Sequence, residues 1–464
     1  MTSTVLAVAL GGASALAEGP RWTPLTGLLA PEGEKPSDKT DASRTETSST
    51  EKPKPPRKAD SSAAAGTRLS LKAVLGRTVA DGQPHGTLGV NTIAVDSDLA
   101  DALGFGTARG ALVTDAASDT ARSAGLVAGD IIETLQGRDI AGAEALAQEL
   151  GKTNPDQEVT VEVRRVGAGA ADLKRLLVER ANGGNVGAAA SLGRLLSLGL
   201  VFGPKTYSEA ATYYLKAAEA GHLASMTRYA LFAKDGVGIA KNEALAATWF
   251  RKAAAGGQDA AMTNLGSLYE TGRGVKQDYA EAARWYRAAV DKGHVFAMHR
   301  LALLYEAGRG VKKDDQEAVR LLRAASDKGL SEATSWLADK YEQGRGIPKD
   351  EYEAYKLNAE AADQVRRSAE QGNAVATFNL GILYRIGKGV KKSDTEAAYW
   401  VVRSLKLGDK YLVSELMRNP NVLSEADRKW LQEVLRDEGT YKGPINGTFT
   451  PEVRTAMEAL ANSA

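Results

Sequence analysis

The sequence predicts a multidomain, mainly α protein: a solenoid of helical repeats with an N-terminal α+β domain before it and a small C-terminal helical domain after it. At 464 residues the chain has room for two to four domains of about 100 to 200 residues each. A Tyr-Glu-x-Gly-Arg-Gly motif recurs every 36 residues, at Tyr269, Tyr305 and Tyr341. Such a period is typical of stacked helix-turn-helix units. Residues 86–166 instead contain short apolar runs broken by glycine, which indicates a mixed domain.

The composition excludes several classes of function. The chain has no cysteine, which excludes disulfide frameworks, thiolate metal sites and cysteine nucleophiles. Because 59 basic residues balance 58 acidic ones, no bulk charge attracts nucleic acid. We therefore expect no nucleic acid partner, and we also expect neither a cofactor nor a metal.

The N-terminus reads as an export signal. Residues 1–17 carry no charged side chain and end in Ala15-Leu16-Ala17, a small-x-small triplet of the kind that signal peptidase recognises. A basic start is missing, so a frayed N-terminus of a cytoplasmic protein is the alternative. The first interpretation predicts a periplasmic protein of the bacterial cell envelope, with no transmembrane segment in the mature chain.

Residues 18–84 are predicted to form a linker rich in proline and charge. Its central part, residues 31–66, contains no large hydrophobic side chain and holds five prolines. Such a stretch cannot offset its ordering entropy by burial, so it should remain an extended tether. The pattern of residues 67–83 predicts no particular structure.

Residues 85–168 form the predicted α+β domain. Strands are expected at Ala111–Thr114, Asp130–Leu135 and Glu158–Arg165, the last from its alternation of valine with polar residues. Short helices are expected at Asp119–Ala124 and Ala143–Leu150.

This segment resembles a PDZ domain of the bacterial HtrA type. The resemblance lies in Gly-Thr-Leu-Gly-Val at 86–90, Arg-Gly-Ala-Leu-Val at 109–113 and Ala-Gly-Leu-Val-Ala-Gly-Asp-Ile-Ile at 124–132. It implies capture of a protein's C-terminal tail. The protease that usually accompanies such a module is not expected, because the chain has no Gly-x-Ser-x-Gly motif and only four histidines.

A peptide is expected to add to an edge strand beginning at Ala111, with its carboxylate on consecutive backbone N–H groups. Two leucines on the adjacent helix could form the other wall of the groove, or could equally be core residues. The predicted peptide-binding residues are Arg109, Gly110, Ala111, Leu112, Leu146 and Leu150.

The repeats are predicted to span residues 171–421, as a half repeat followed by six full ones. In each, an A helix ends at a glycine able to take the left-handed conformation, and a B helix follows. The B helices should begin at the N-cap residues Thr206, Asn242, Asp278, Asp314, Asp350 and Ser393. Glu209, Glu281, Glu317, Glu353 and Glu396 lie three positions later and predict capping boxes.

One repeat carries seven extra residues, within 359–371. Seven residues are about two helical turns, so they should lengthen the B helix without rotating its buried face. The histidines occur singly, and the tryptophans at 249, 285 and 400 share a position in the B helix. We expect these tryptophans in the core, with glycan stacking as the alternative, and we expect no catalytic residues.

The repeat, most completely at residues 265–293, resembles the Sel-like repeat, a relative of the tetratricopeptide repeat. The resemblance implies a protein-interaction scaffold of a kind that bacteria often export.

Residues 422–464 read as helix, tight loop and helix, and are similar to the small peptidoglycan-binding domain. The loop residues implied to bind are Tyr441, Gly443, Pro444, Ile445, Asn446, Gly447 and Phe449. The alternative is a helical cap that closes the C-terminal end of the repeats.

Together these features predict an exported, non-catalytic scaffold that binds C-terminal tails and partner proteins and is tethered to peptidoglycan. The alternative is an adaptor of an envelope protease, or a regulator of a sensor kinase or exopolysaccharide pathway.

Overall fold

The computed structural model describes residues 66–80, 83–105, 107–408 and 425–461, and a few single positions between 409 and 424. The predicted signal peptide and most of the predicted linker lie outside these residues. The described residues form two compact units, residues 66–261 and residues 262–461.

The N-terminal part, residues 66–166, is rich in strands and is called the N-terminal module below. Its strands are β1 (Thr67–Val74), β2 (Gly76–Ala80), β3 (Gln83–Thr87), β4 (Asn91–Ala94), β5 (Ala111–Asp115), β6 (Ile131–Leu135), β7 (Arg138–Asp139) and β8 (Glu158–Arg165). Its helices are α1 (Ser97–Leu103), α2 (Asp119–Ser123) and α3 (Ala143–Leu150).

One antiparallel sheet runs in the order β1-β8-β6-β5-β4, with β7 paired to β6, and β2 and β3 form a separate hairpin. Residues 67–74, 76–80 and 83–84 are strand rather than linker, which corrects the prediction for 18–84. Strand β1 pairs along its whole length with β8, with Leu71 opposite Val161. The alternation of Leu69, Leu71 and Ala73 toward the core explains why this stretch is ordered.

Seven helix pairs or part-pairs follow the N-terminal module. The helices are α4 (Ala170–Asn182), α5 (Val186–Leu198), α6 (Tyr207–Glu219), α7 (Leu223–Asp235), α8 (Glu243–Ala255), α9 (Asp259–Thr271), α10 (Tyr279–Asp291), α11 (Val295–Ala307), α12 (Asp315–Ser326), α13 (Ser331–Gln343), α14 (Glu351–Glu370), α15 (Ala374–Ile386) and α16 (Asp394–Lys406). Helix α4 is the predicted half repeat, and the A helices are α5, α7, α9, α11, α13 and α15.

The B helices begin where the sequence predicts. Asp278, for example, accepts hydrogen bonds from the N–H groups of Ala280 and Glu281 at 2.9 and 3.0 Å. The reciprocal half of the capping box is absent there, because the Asp278 N–H donates to the Tyr269 carbonyl. Glu281 instead pairs with Arg284 at 2.7 Å. Thr206 makes no side-chain capping bond.

The two glycines of each motif have different roles. Gly308 ends α11 at a φ of 65°, and the three atoms nearest to an added Cβ there all belong to Lys313. Gly310, at a φ of 68°, passes so close to the start of α10 that a Cβ would collide with the Tyr279 carbonyl. The second glycine is therefore required for packing between repeats as well as for the turn.

Helix α14 contains the seven extra residues and is a continuous helix of 20 residues, against 13 for α16. Its buried positions keep to one face from end to end: Ala354, Leu357, Asn358, Ala361, Ala362, Val365 and Ala369. The insertion lengthens the helix and leaves its buried face in place, as the two-turn length predicts.

The last helices are α17 (Glu425–Asp437) and α18 (Pro451–Ala461). They share one hydrophobic core with the last repeat, which brings Val401 and Leu405 of α16 together with Leu435 and Met457. The C-terminal segment therefore closes the end of the repeats and is not a separate globule.

Candidate functional site

The strand that was predicted to be an open edge is internal. Strand β5 lies between β4 and β6, with Ala111 paired to Ala94 on one side and to Ile132 on the other. Ala111 and Leu112 are fully buried. A peptide cannot add to this strand, because both of its hydrogen-bonding edges are occupied, and the prediction of a carboxylate cradle over residues 109–112 is wrong.

The residues that flank β5 have other roles. Arg109 is exposed, whereas Gly110 is buried with a φ of 99°, and a Cβ there would lie 2.7 Å from Ile131. Its carbonyl accepts the N–H of Val95 at 3.1 Å. Gly110 thus lets the start of β5 approach β6 closely.

Strand β4 is the open edge at this end of the sheet, since it pairs with β5 alone. Helix α3 packs beside β4, and its N-cap Gly142 lies so near that an added Cβ would be 3.3 Å from the Ala94 Cβ. Asn91 and Ala94 are exposed. The strip of surface between the unpaired edge of β4 and helix α3 is called the β4 groove below.

A tight turn leads into β4. Gly89 has a φ of 64°, and a Cβ there would collide with the Ser118 side chain. The Gly89 N–H donates to Thr87 Oγ1 at 3.0 Å, and Leu88 is fully buried beneath the turn. The glycine motif at residues 86–90 is the sequence signal for this turn. The predicted carboxylate-binding residues instead lie in the later motif at 109–113.

Of the two leucines predicted on α3, Leu146 is a core residue. It is 3% exposed and packs in the same cluster as Val113 and Ile132. Leu150 is half-buried against that cluster. The core alternative therefore holds for Leu146, and Leu150 lies at the margin of the core.

The Gly129-Asp130 motif has a structural role. The Asp130 carboxylate is fully buried and accepts two hydrogen bonds from Arg165, at 2.6 and 2.7 Å, and one from the Val127 N–H at 3.0 Å. This bidentate pair fixes the loop before β6 to the end of β8.

A buried ionic cluster joins repeats in the second unit. Glu270 of α9, which is 3% exposed, accepts hydrogen bonds from Arg300 of α11 at 2.6 Å and from Tyr286 of α10 at 2.8 Å. Burial alone would lower the pKa of Arg300, but Glu270 and Tyr286 raise it above its usual range. Burial also raises the pKa of Tyr286. The cluster therefore links three consecutive helices, α9, α10 and α11, and so joins neighbouring repeats.

The histidines of the repeats lie in unrelated settings. His222 caps α7 and bonds to Ser225 at 2.8 Å, while His294 contacts Thr263 at 3.0 Å. His299 is buried, and burial followed by the nearby Arg300 charge lowers its pKa to about 3. Nothing in these settings resembles a general base held near a substrate cleft.

Two of the three repeat tryptophans, Trp249 and Trp400, are each 8% exposed. Trp249 stacks edge-to-face with Tyr229, and Lys252 covers its other side. Trp285 is half-buried beside Arg284. The core interpretation therefore holds for Trp249 and Trp400.

The C-terminal loop is organised around Gln432, which is fully buried. Its Oε1 accepts the N–H groups of Asn446 and Gly447 at 3.1 and 2.7 Å, and its Nε2 donates to the Thr448 carbonyl at 2.9 Å. Tyr441 is buried and donates to the Pro444 carbonyl at 3.1 Å.

The residues proposed to bind peptidoglycan therefore divide into two sets. Tyr441 and Gly447 are buried and support the loop. Pro444 and Asn446 are exposed, and the half-buried residues are Gly443, Ile445 and Phe449. A ligand could touch the loop through its exposed and half-buried members, but not through Tyr441 or Gly447.

The described part of the chain contains no group of three or more His, Cys, Asp or Glu side chains arranged to hold a metal ion. Among the helices described, none has both the length and the apolar character required to cross a membrane.

Six consecutive segments match the family model of the Sel1 repeat: residues 186–222, 223–258, 259–294, 295–330, 331–364 and 374–409. These segments cover the helix pairs from α5 to α16, except that the fifth segment ends at residue 364, within α14 (Glu351–Glu370).

Among the solved structures that resemble the chain are the following two. A Sel1 repeat protein from Oxalobacter formigenes is 31% identical, with 51% of this chain and 92% of that one covered and a TM-score of 0.43. A protective antigen of uropathogenic Escherichia coli strains that displays an SLR fold is 26% identical, with 59% and 65% covered and a TM-score of 0.39.

One curated protein is similar over a short stretch. It is a probable periplasmic serine endoprotease, DegP-like, from Bartonella henselae, 35% identical over 83 residues. The match covers 18% of this chain and 16% of that protein, so the chain spans about a sixth of the protease's length.

Proposed function

Because the chain belongs to the Sel1 repeat family, we propose that it is a non-catalytic scaffold that holds other proteins together. Sel1 repeat proteins generally mediate protein–protein interaction. In this proposal the repeats grip one partner, while the N-terminal module acts as a PDZ-like reader of another protein's C-terminal tail.

The observation that carries the reader function is the unpaired edge of β4 beside α3. A peptide would add as a further antiparallel strand, since main-chain hydrogen bonds supply affinity in this mode and side-chain pockets supply specificity. The N–H of Val95 donates inward to Gly110, and N–H direction alternates along a strand, so the N–H of Ala94 points outward. Ala94 would donate to the incoming peptide.

A peptide array tests the reader function with the full chain. Peptides with a free C-terminal carboxylate should bind, and the same peptides with an amidated C-terminus should not. Ala94→Pro removes one outward N–H and leaves the ladder to β5 intact, so it should reduce binding at least tenfold, the loss of about 1.4 kcal/mol. Equal binding of acid and amide forms would reject tail capture.

Tethering to peptidoglycan is the second part of the proposal, and the exposed loop residues near 444–446 support it. Deleting residues 422–464 would expose the core shared with Leu405, so surface variants are the better test. Lys442→Glu and Pro444→Glu should reduce co-sedimentation with purified sacculi, while Lys391→Glu, a matched change in an exposed repeat turn, should not. Equal pelleting of all variants would leave the loop with the capping role alone.

Export to the periplasm completes the proposal, from the uncharged first 17 residues. A fusion of those residues to a reporter that is active only in the periplasm tests it. The likeness to a periplasmic serine endoprotease also favours one alternative, an adaptor of an envelope protease. That role predicts that the purified chain changes the cleavage rate of such a protease.

A further inference from the structure

Helix α1 of the N-terminal module packs directly against the first repeat within the same compact unit. The approach is at backbone distance, because a Cβ added to Gly187 of α5 would lie 2.6 Å from the Asp98 carbonyl. The non-polar side of α1 faces inward, with Leu99 and Leu103 fully buried. The N-terminal module and the first repeats are therefore in firm contact.

Three acidic residues, the N-cap of α1 and two within the helix, contact residues that belong to or flank the first repeat. Asp96 Oδ2 lies 2.9 Å from Arg194 Nη2 of α5, an ion pair with side chains about one-third exposed. Asp101 accepts a hydrogen bond from Asn185 at 3.1 Å. Asp98 lies 3.4 Å from His222, the N-cap of α7. The contacts therefore extend from the N-cap of α5 to the N-cap of α7, through Asn185, Arg194 and His222.

The same chain segment also forms the β4 groove. Strand β4 ends at Ala94, the next residue Val95 is buried, and Asp96 is the N-cap of α1. Asp96 has two roles at once: its Oδ1 accepts the Leu99 N–H at 2.9 Å, and its Oδ2 pairs with Arg194. The position of the strand edge and the docking of α1 are thus linked through a single carboxylate.

We propose that Arg194 is a positioning residue for the β4 groove, acting through Asp96. The ion pair holds the start of α1 against the first repeat. Because only the buried Val95 separates Asp96 from the end of β4, the ion pair also fixes the position of that strand end. A strand edge held in place loses less entropy when a peptide adds to it. The repeats would thereby prepare the N-terminal module to bind a peptide. This proposal rests on the reader function proposed above.

The test has a readout that needs no ligand. In Arg194→Gln, amide hydrogen exchange at Asn91–Ala94 and along α1 should accelerate about fivefold, as expected for the loss of a partly exposed ion pair. Arg194→Lys should restore most of the protection. The matched control is Arg175→Gln, which removes a surface pair with Asp172 on α4 and should leave β4 unchanged.

A second variant guards against a general loss of structure. Asp96→Asn keeps an N-cap acceptor for α1 and removes the charge, so it should reproduce the effect of Arg194→Gln, and the double variant should add little. Exchange in β8 and α8 should stay at the wild-type rate. Unchanged exchange at β4 in both single variants would overturn the proposal.

Peptide affinity separates this proposal from the reader function. With an acid-form peptide selected on the array, Arg194→Gln should weaken binding about fivefold and Arg194→Lys should recover it. If no peptide binds the wild type, the reader function fails, while the exchange experiment still decides whether Arg194 positions β4.

Discussion

The guanidinium of Arg300 lies 2.6 Å from the carboxylate of Glu270, and this contact joins the A helices of two successive repeats. The hydroxyl of Tyr286, from the B helix between them, donates to the same carboxylate oxygen. A cluster with one member on each of three consecutive helices makes the stability of each repeat depend on the next.

Replacing Glu270 with glutamine should destabilise the second unit. The change leaves the buried Arg300 without its counter-charge, which costs roughly 3 kcal/mol. Glu342 has the same repeat position two repeats later but is exposed, so Glu342→Gln should change stability by less than about 0.5 kcal/mol. Urea unfolding followed by tryptophan fluorescence measures both, and equal losses would contradict the role of the cluster.

Lys340 should be replaceable by leucine. Leu268, Leu304 and Leu383 have the same position in other repeats, and Lys340 is 2% exposed with its ammonium 2.6 Å from Glu306. Arg345, 3.1 Å from Glu306, would still neutralise that carboxylate.

Because a well-packed apolar residue often equals or betters a buried ion pair, Lys340→Leu should leave stability unchanged or raise it by about 1 kcal/mol. Lys340→Ala, which leaves a cavity, should cost about 2 kcal/mol. Thermal unfolding of the two variants decides the point. A large loss in Lys340→Leu would mean that the pair itself is needed.

His299 should make the second unit sensitive to acid. Burial lowers its pKa from 6.5 to about 3, so the folded chain keeps the ring neutral while the unfolded chain binds a proton below about pH 6.5. The stability linked to this group is complete above pH 6.5 and declines as the pH falls toward 3.

In His299→Ser, which introduces the residue that Ser335 provides at the same position of the next repeat, this decline should disappear. Between pH 6.5 and 4.5 the wild type should lose about 2 kcal/mol more than the variant, since each pH unit is worth about 1.4 kcal/mol per group. Parallel pH–stability curves for the two proteins would show that the buried ring does not contribute.

Two glycines with similar backbone conformations should respond differently to alanine. Gly293 has a φ of 84° with open space around it, whereas at Gly310 an added Cβ would collide with the Tyr279 carbonyl. Gly293→Ala should cost about 1 kcal/mol for the left-handed conformation alone. Gly310→Ala should cost at least twice that by thermal unfolding, and similar costs would argue against the packing role.

The repeats could be predicted from the sequence because their contacts are local. A 36-residue period identifies the glycine turns and the N-cap residues of each unit, and Asp278 and Asp314 cap their helices as expected. The reciprocal capping bond does not form, because the N–H of the N-cap residue donates to a carbonyl of the preceding helix. Asp278 donates to Tyr269, and Asp314 donates to Tyr305. A sequence motif does not show that competing acceptor.

The strand edges of the N-terminal module could not be predicted in the same way. Which strand is an edge depends on pairings between residues far apart, such as Leu71 with Val161 and Ala111 with Ile132. The run of apolar residues from Ala111 to Val113 was consistent with an internal strand, since both faces are buried. The burial of Lys340 and the core that the C-terminal helices share with the last repeat could not be predicted either, because both depend on tertiary contacts.

The core that the last repeat shares with α17 and α18 limits how this protein can change in length. At several interior junctions the second glycine of a repeat lies against the preceding B helix, as at Gly238, Gly310 and Gly346. Duplicating a 36-residue block in the middle would therefore place each new helix beside another repeat helix. The final junction differs from these, because α16 shares its core with α17 and α18 there, with Val401 and Leu405 in the same cluster as Leu435 and Met457. In evolution and in protein engineering, repeats should therefore be added or removed in the interior, while α16, α17 and α18 are kept together.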